Sequence, residues 1–311
     1  MSILELSLPV FLAWWLLVGL LVGSFLNVAI HRHAIEGESV SKPRRSRCPS
    51  CKTTLTWREN IPLLSWLVQR GRCRTCGWRI PLRYPLVEAL NAGLWVWIAA
   101  QTFPEHWAIG LVQCVVVSGL IVATFVDFDC FEIPDEVSIG GLVAAPIVSF
   151  LVPELHRNGA VVAWIDGASQ IEPSRMAALS SALFGMAAGA GVLWLIGKVG
   201  SRLYGRDAMG FGDVKLLGAG GGFVGPGAVL VALMIGALTA SVFGLVNILR
   251  YGALVRARNR RRGRTRGFGH ALAVGRVAGR YLPFGPFLAL GIGIVLLGWR
   301  TLAPWLPFPL G

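Results

Sequence analysis

Charged residues are scarce in this sequence of 311 residues, because only 14% of them are Asp, Glu, Lys or Arg. Acidic residues are the rarer sign, with 16 Asp and Glu against 29 Lys and Arg. A large soluble helical bundle needs far more polar surface than this, since its outer faces must be solvated. The shortage excludes an ordinary soluble domain and predicts a protein that places most of its surface in lipid.

Hydrophobic residues form 54% of the chain and are gathered into long runs. Most runs approach the roughly 20 residues that a helix needs to cross the core of a bilayer. The seven runs are Leu8–Ile30, Tyr84–Thr102, Trp107–Val126, Val137–Val152, Met176–Gly200, Ala228–Leu249 and Leu282–Trp299. An eighth stretch, Val214–Val224, is short and rich in glycine, and predicts a broken or tightly packed helix. The predicted fold class is an all-α polytopic membrane protein with about eight transmembrane helices.

A cleaved signal peptide is the alternative reading of the first apolar run. No basic segment precedes that run, and Gly23–Asn27 is a poor cleavage site. Signal peptides normally have both a basic start and a small-residue cleavage site. Residues 1–30 are therefore interpreted as a retained first transmembrane helix.

Basic residues are concentrated in two of the predicted loops. Ile30–Arg83 carries twelve Lys or Arg and three Glu, and Arg250–Arg280 carries ten Arg and no acid. The Pro153–Arg175 loop has two Arg against three acids. Lys and Arg accumulate in cytoplasmic loops, and about eight spans place both basic loops on the same side. The expected orientation has the amino terminus outside and both basic loops in the cytoplasm.

A net charge of +13 raises the question of a nucleic-acid partner. The arginine run Arg256–Arg266 has no aromatic residues among its arginines, although single-stranded nucleic acid is bound through aromatic stacking. Anionic lipid head groups are the better match, at about 1 kcal/mol for each basic residue near the surface. We predict contact with membrane lipid and no nucleic-acid partner.

Four of the six cysteines form two CxxC pairs, Cys48 with Cys51 and Cys73 with Cys76, separated by twenty-one residues. Each pair places two thiolates on a tight turn, and two such turns complete a tetrahedral shell for zinc. Two disulfides are the alternative, which a loop in the reducing cytoplasm disfavours. We predict a structural zinc ion bound by all four, since a closed shell leaves no position open for catalysis.

Asp127 and Asp213 are far apart in the sequence, but each lies where an apolar segment meets a polar loop. A carboxylate at the edge of the hydrocarbon is costly unless it has a function. Asp135 and Glu136 have a structural reason, because they follow Pro134 at a predicted helix start. Asp127 ends a helix, where a negative charge opposes the dipole. Two carboxylates that meet can divide the acid and base roles of a hydrolysis.

Glycines surround the second aspartate in the segment Met209–Lys215. A phosphate-binding loop is the competing interpretation, but the sequence has neither GxxxxGK[ST] nor a βαβ unit. A glycine-lined hinge that lets Asp213 approach another helix fits better. Lys215 has two interpretations. In the first it has a function, which is to offset the nearby acids or to bind a substrate carboxylate. In the second it is an ordinary lysine at the membrane edge.

A cation transporter is a second class of function for acids beside broken helices. The acids of this chain cluster at one face rather than in mid-membrane, and the sequence shows no inverted repeat. Hydrolysis is therefore the favoured hypothesis.

Motifs spread over most of the chain jointly match one family. The matching segments are Gly23–Val28 with Arg32, the two CxxC pairs, Asn60–Trp66, Arg70–Cys73, Arg83–Glu88, Asp127–Asp135, Gly210–Lys215 and Pro283–Leu290. The chain resembles the type IV prepilin leader peptidases, which are bifunctional prepilin peptidase/N-methyltransferases of bacterial inner membranes. The resemblance implies an intramembrane aspartyl protease of the GxGD type with Asp127 and Asp213 as catalytic residues.

Such enzymes cut a short basic leader from prepilins and pseudopilins, after a glycine at the cytoplasmic boundary of the membrane. Many then methylate the new amino terminus with S-adenosylmethionine, and the four-cysteine domain accompanies the bifunctional members. A peptidase without methyltransferase activity is the alternative. Glu88 is a candidate for the methyl-donor site or for a structural role at the membrane interface.

The expected organisation has three parts: a first transmembrane helix over residues 1–30, a cytoplasmic four-cysteine zinc-binding domain over 31–83, and a transmembrane peptidase core over 84–311. Two segments depart from the family pattern. Pro153–Arg175 is long for a periplasmic connection, and Arg256–Arg266 is unusually basic.

Overall fold

The computed structural model describes residues 3–35, 40, 41, 43, 45–156, 173–205, 207, 209–261 and 282–302. These residues are mostly helical, and they form two isolated β-bridges but no strand. The helices are α1 (Ile3–His33), α2 (Leu64–Val68), α3 (Arg83–Thr102), α4 (Trp107–Cys130), α5 (Asp135–Leu151), α6 (Arg175–Tyr204), α7 (Phe211–Val224), α8 (Pro226–Arg261) and α9 (Gly285–Leu302). Two short 3-10 turns occupy Trp57–Asn60 and Pro153–His156. The all-α prediction is confirmed for the described residues.

Four of the described helices are long and apolar enough to cross a membrane. Their apolar segments are Leu8–His33, Trp107–Cys130, Arg175–Tyr204 and Pro226–Asn259. Gly285–Gly298 adds a shorter apolar helix. These helices agree with a membrane protein, and the figure of about eight spans stays a prediction.

The predicted Val214–Val224 stretch is one continuous helix, α7, of 14 residues. At 1.5 Å per residue it is about 21 Å long, shorter than the roughly 30 Å hydrocarbon core. Its glycines allow close packing rather than a break. A Cβ added to Gly220 would lie 2.6 Å from Cδ1 of Ile292 in α9, and one added to Gly189 in α6 would lie 2.5 Å from the Leu217 carbonyl oxygen. The tightly packed alternative therefore describes α7.

Helix α8 extends well past the predicted apolar run and ends at Arg261. Arg250, Arg256 and Arg258 thus lie on a helix, which corrects the prediction that a loop begins at Arg250. Arginine is a good helix former, and a helix satisfies its own backbone hydrogen bonds, so α8 can continue into water. Residues 262–266 of the arginine run, and residues 157–172 of the long acidic connection, lie outside the described residues.

A buried polar network joins α1, α3 and α4. The side chain of Asn91 donates a hydrogen bond to the carbonyl oxygen of Gly19 at 2.8 Å. Ser118 donates to Asn91 at 2.7 Å, and Trp95 donates to Ser118 at 3.1 Å. Polar groups among apolar helices are stable only when paired, so this network fixes how the three helices pack.

A second buried network joins α5, α6 and α7 at the end of α7 away from Asp213. The imidazole of His156 is 3% exposed. Its Nε2 lies 2.9 Å from the Ser149 hydroxyl, and its Nδ1 lies 3.1 Å from the Ser181 hydroxyl. Ser149 also donates to the carbonyl oxygen of Gly222 at 3.3 Å. This network holds α7 at the end away from Asp213.

Candidate active site

Asp127 and Asp213 line one cavity of about 490 Å³ at the loop ends of α4, α5 and α7. Asp127 lies in the last turn of α4, and Asp213 lies in the first turn of α7. The two carboxylates are close enough for their charges to act on each other. The charged and titratable side chains lining this acid cavity are Asp127, Glu132, Asp135, Glu136 and Asp213, with His33 and Lys215 as the basic ones.

The Asp127 carboxylate is held by the backbone of another helix. It is 5% exposed, and its Oδ2 accepts a hydrogen bond of 2.9 Å from the amide of Gly285. Gly285 is the first residue of α9, where a backbone N–H has no partner inside its own helix. The positive end of the α9 dipole therefore compensates for the position of Asp127 at the end of α4.

Position 285 has no room for a side chain. A Cβ there would lie 2.5 Å from Asp127 Oδ2 and 3.0 Å from Cδ1 of Ile133. Real Cβ atoms do not approach other atoms so closely, so any other residue would displace the carboxylate or α9. Glycine at this position is a requirement of the Asp127 contact.

Asp213 is held more loosely than Asp127. No described donor forms a hydrogen bond with its side chain, and a Cβ on Gly210 would lie 3.5 Å from its Oδ2, an ordinary contact. Gly212 does pack tightly, since a Cβ there would lie 3.3 Å from Cβ of Ile133. The backbone around Asp213 is thus fixed, while its carboxyl group faces the acid cavity.

One ion pair lies in the wall of this cavity, and a second lies close to Asp127 in the sequence. Lys215 of α7 pairs with Asp135 at the start of α5. Arg83 at the start of α3 pairs with Asp129, two residues after Asp127. The Lys215–Asp135 pair is consistent with Lys215 offsetting nearby acids, and both interpretations of Lys215 stay predictions.

The four cysteines of the two CxxC pairs lie in one cluster. Their sulfur atoms are all within 4.8 Å of one another, and the Cys48 and Cys76 sulfurs are 3.8 Å apart. All six cysteines of the chain are free thiols, so the disulfide alternative is not realised. Tetrahedral zinc with Zn–S distances of 2.3 Å requires sulfur separations of about 3.8 Å. The cluster therefore fits a metal ion with four thiolate ligands.

Each CxxC pair sits on the same kind of turn. The amide of Cys48 donates to the carbonyl of Thr53 at 2.9 Å, and that of Cys73 donates to the carbonyl of Trp78 at 2.8 Å. Hydrogen bonds between Cys51 and Thr53 lower the pKa of the Cys51 thiol to about 6, which favours the thiolate that a metal binds.

A second cavity, of about 440 Å³, lies between these cysteine turns and the membrane helices. We call it the knuckle cavity. Its walls come from the end of α1, the two cysteine turns, α2 and the start of α3. The aromatic side chains that line it are Trp66, Trp78 and Tyr84, and its one carboxylate from α3 is Glu88.

Glu88 is a buried acid, 8% exposed, on the wall of the knuckle cavity. Its Oε2 accepts a hydrogen bond of 2.8 Å from the amide of Leu63, and Ser24 and Asn27 also hydrogen-bond to it. A carboxylate with such partners can serve structure and ligand binding together.

The fold and the site define a class of protein: a polytopic helical membrane protein with two aspartates in one cavity. Residues 17–102 match the family described as Bacterial Peptidase A24 N-terminal domain, and residues 114–245 match the Type IV leader peptidase family. The chain belongs to the type IV leader peptidase family.

Three similar proteins illustrate this membership. The prepilin leader peptidase/N-methyltransferase of Myxococcus xanthus is 36% identical over 245 residues, which cover 78% of this chain and 65% of that protein. The protein of the same name from Aeromonas hydrophila is 32% identical over 316 residues, covering 93% and 91%. The type 4 prepilin-like proteins leader peptide-processing enzyme of Escherichia coli O78:H11 is 35% identical over 291 residues, covering 88% of each. No solved structure matches the chain significantly.

Three features of the site were not predicted from the sequence: the Gly285 amide on Asp127, the Arg83–Asp129 pair, and the Leu63 amide on Glu88. Gly285 lies within a matched family segment, so the motif marked the position without giving its role. The other two join residues 46 and 25 positions apart, and nothing local in the sequence indicates them.

Proposed function

We propose that this protein cleaves the leader peptide from type IV prepilins or related pseudopilins by aspartyl hydrolysis with Asp127 and Asp213. One observation carries the proposal: two carboxylates from distant parts of the chain line a single cavity at the edge of the apolar helices. Two interacting carboxylates can hold one proton between them and divide the acid and base roles.

The unequal surroundings of the two aspartates support an assignment of roles. A backbone N–H donated to a carboxylate favours its charged form, and Asp127 receives one from Gly285. Asp127 is therefore the base in this mechanism, and Asp213 is the protonated partner. Asp127 takes a proton from a water molecule, which attacks the carbonyl carbon of the scissile peptide.

Asp213 donates a hydrogen bond to the carbonyl oxygen and stabilises the tetrahedral intermediate. When the intermediate collapses, the C–N bond breaks and the leaving nitrogen takes the proton held by Asp127. The products are the leader carboxylate and the new amino terminus of the mature pilin.

The acidic walls suit a basic leader. Glu132, Asp135 and Glu136 line the acid cavity beside the catalytic pair, and only Lys215 and His33 among its lining residues are basic. A positively charged leader is attracted to such a surface before its boundary with the apolar segment reaches the two aspartates.

The charge distribution supports a bacterial inner-membrane location with about eight spans and both aspartates at the cytoplasmic face. In this orientation the four-cysteine segment 31–83 is a cytoplasmic domain, flanked by the first transmembrane helix over 1–30 and the peptidase core over 84–311. The arginines at the end of α8 then meet the anionic lipids of the same leaflet.

The four-cysteine cluster is proposed to bind structural zinc, which holds the two cysteine turns together. The knuckle cavity is proposed as the site of N-methylation. Its volume is in the range of small-molecule sites, and it combines aromatic walls with the Glu88 carboxylate. S-adenosylmethionine supplies an electrophilic methyl group when bound. Aromatic faces suit its positive sulfonium, and Glu88 can hold the new pilin ammonium group.

The test is mass spectrometry of a prepilin co-expressed with the enzyme. The parent chain should give a shortened and methylated amino terminus. Asp127→Asn and Asp213→Asn should each leave the precursor uncut, with at least a hundredfold or so less product. Asp207→Asn, an exposed acid six residues before Asp213, is the matched control and should cut normally.

Retained cleavage in either active-site variant would overturn the catalytic assignment. A shortened pilin that never carries a methyl group would instead limit the protein to its peptidase activity.

A further inference from the structure

Helix α2 has two different faces. Ser65 and Trp66 line the knuckle cavity. Leu64, Leu67 and Val68 point away from the protein and are 59%, 62% and 68% exposed. Three large apolar side chains exposed on one helix of five residues form a patch that a small polar domain would not leave in water.

The orientation of α2 is fixed by contacts just before its start and at its middle residue. Before the helix, Leu63 has a positive φ (59°), and its amide donates to Glu88. The indole of Trp66 donates to the carbonyl of Ile80 at 3.2 Å and packs on Gly71, where a Cβ would lie 2.9 Å from the ring. The apolar face cannot turn inward without breaking these contacts.

Two distances along the membrane helices give the depth of α2. Glu88 is five residues into α3, or about 7.5 Å from its start at Arg83. The same residue packs on Gly23 of α1, because a Cβ on Gly23 would lie 2.8 Å from the Glu88 Cα. Gly23 lies inside the apolar segment Leu8–His33, about 15 Å before its end. The start of α2 therefore lies beside the apolar part of α1.

A second row of exposed leucines runs along the start of α3. Leu82, Leu86 and Leu90 follow one another at four-residue spacing and are all exposed. Residues at this spacing share one face of a helix, and on a membrane helix that face meets lipid. Exposed Arg58 and Arg70 flank α2 in the sequence and complement anionic head groups.

We propose that α2 inserts its apolar face into the bilayer and anchors the cysteine turns to the membrane surface. Leu64, Leu67 and Val68 then contact acyl chains, while Ser65 and Trp66 face the knuckle cavity. This inference rests on the membrane orientation given under the proposed function. The anchor keeps the knuckle cavity beside the lipid surface, where the new amino terminus of a membrane-bound pilin is released.

Photo-crosslinking to lipid tests the anchor. Benzoylphenylalanine is placed at Leu67 in the full chain, which is reconstituted in phosphatidylethanolamine and phosphatidylglycerol vesicles and irradiated. We expect lipid adducts at position 67, detected by mass spectrometry. The same probe at Thr75, an exposed residue of the second cysteine turn, should give none, and the probe at Leu90 on α3 should label lipid.

The outcomes separate the possible failures. Lipid adducts at Leu90 but none at Leu67, or adducts from Leu67 to another protein, overturn the anchor. No lipid adducts at Leu90 would show that this face of α3 does not meet lipid, and the anchor would fail with it. Cleavage by the Asp127 and Asp213 variants is measured separately, so neither result depends on the catalytic assignment. If the Leu67 variant does not accumulate, Leu64 carries the same probe and decides by the same outcomes.

Discussion

The knuckle cavity and the acid cavity are built by different means. Short turns and a cluster of four thiols enclose the first, with α1, α2 and α3 as its floor. Close-packed helices enclose the second, and its key contact is a backbone amide on a carboxylate. Under the proposed function the knuckle cavity depends on a metal bound by the four cysteines, whereas the acid cavity depends on helix packing. Perturbations of the metal and of the packing should separate the two activities.

Metal removal should have the largest effect. Structural zinc commonly contributes about 10–16 kcal/mol of apparent binding free energy to folding at neutral pH. Chelation, or Cys48→Ser, should unfold the cysteine turns, abolish methyl transfer to a pre-cut pilin, and reduce cleavage much less. Limited proteolysis between residues 45 and 82 measures the unfolding. Cys114→Ala, which removes a buried thiol in the middle of α4, is the control. A zinc-free enzyme whose turns resist protease as well as the parent would count against structural zinc.

Gly285→Ala should damage the acid cavity alone. The added Cβ displaces the Asp127 carboxylate, and losing a hydrogen bond to a charged group corresponds to roughly a tenfold to hundredfold lower kcat/KM for cleavage. Methylation of a pre-cut pilin should be unchanged.

Gly293→Ala in the same helix is the matched control, since its Cβ would meet only Leu120, at 3.8 Å. Equal cleavage rates for the two alanine variants would contradict the positioning role of Gly285.

His156 should make the stability of the transmembrane core sensitive to acid. It lies in the buried network at the end of α7 away from Asp213. Burial lowers the pKa of His156 to about 4, from its ordinary value of 6.5. Between these values the unfolded chain binds a proton that the folded chain does not, so stability falls as the pH drops from 6.5 to 4. The slope should approach about 1.4 kcal/mol per pH unit.

His156→Gln removes this titration and keeps a polar side chain. Thermal unfolding of the two proteins in detergent, from pH 4 to 7.5, measures the difference. Parallel pH curves would show that His156 is not a buried neutral histidine.

Replacing Glu59 should have the smallest effect, and only on the cysteine turns around the knuckle cavity. The amide and hydroxyl of Thr56 donate to its Oε2 at 2.9 and 2.7 Å, and these bonds lower the pKa of Glu59. Its stabilising effect is therefore present at neutral pH and lost on acidification. Because the group is half-exposed, Glu59→Gln should cost less than about 1 kcal/mol. Limited proteolysis of the cysteine turns should rise slightly at pH 7, and cleavage of the prepilin should be unaffected. A loss of prepilin cleavage would show that the knuckle cavity and the acid cavity are not independent.

The sequence predicted those features that depend on local composition. Apolar runs gave most helices to within a few residues, because a membrane helix is fixed by length and hydrophobicity. Asp127 and Asp213 stood out because charge at an apolar edge is costly. The end of α8 was missed for the converse reason: hydropathy marks where a helix leaves the lipid, and Arg250–Arg261 continues as a helix without it.

The contacts that complete the site could not be predicted in this way. The amide of Gly285 is 158 residues from Asp127, and only the packing of α9 on α4 brings them together. The same holds for Leu63 and Glu88, whose contact sets the depth of α2. Composition predicts which segments are buried, whereas pairing between segments depends on how helices pack.

The shortness of α7 has a consequence for water. This helix is about 21 Å long and is enclosed by α5, α6, α8 and α9. Protein helices therefore surround α7, and Asp213 in its first turn lines the acid cavity. In the proposed function and orientation, water reaches Asp127 and Asp213 through the acid cavity. The enzyme can then hydrolyse a bond at the membrane boundary with water that never crosses lipid.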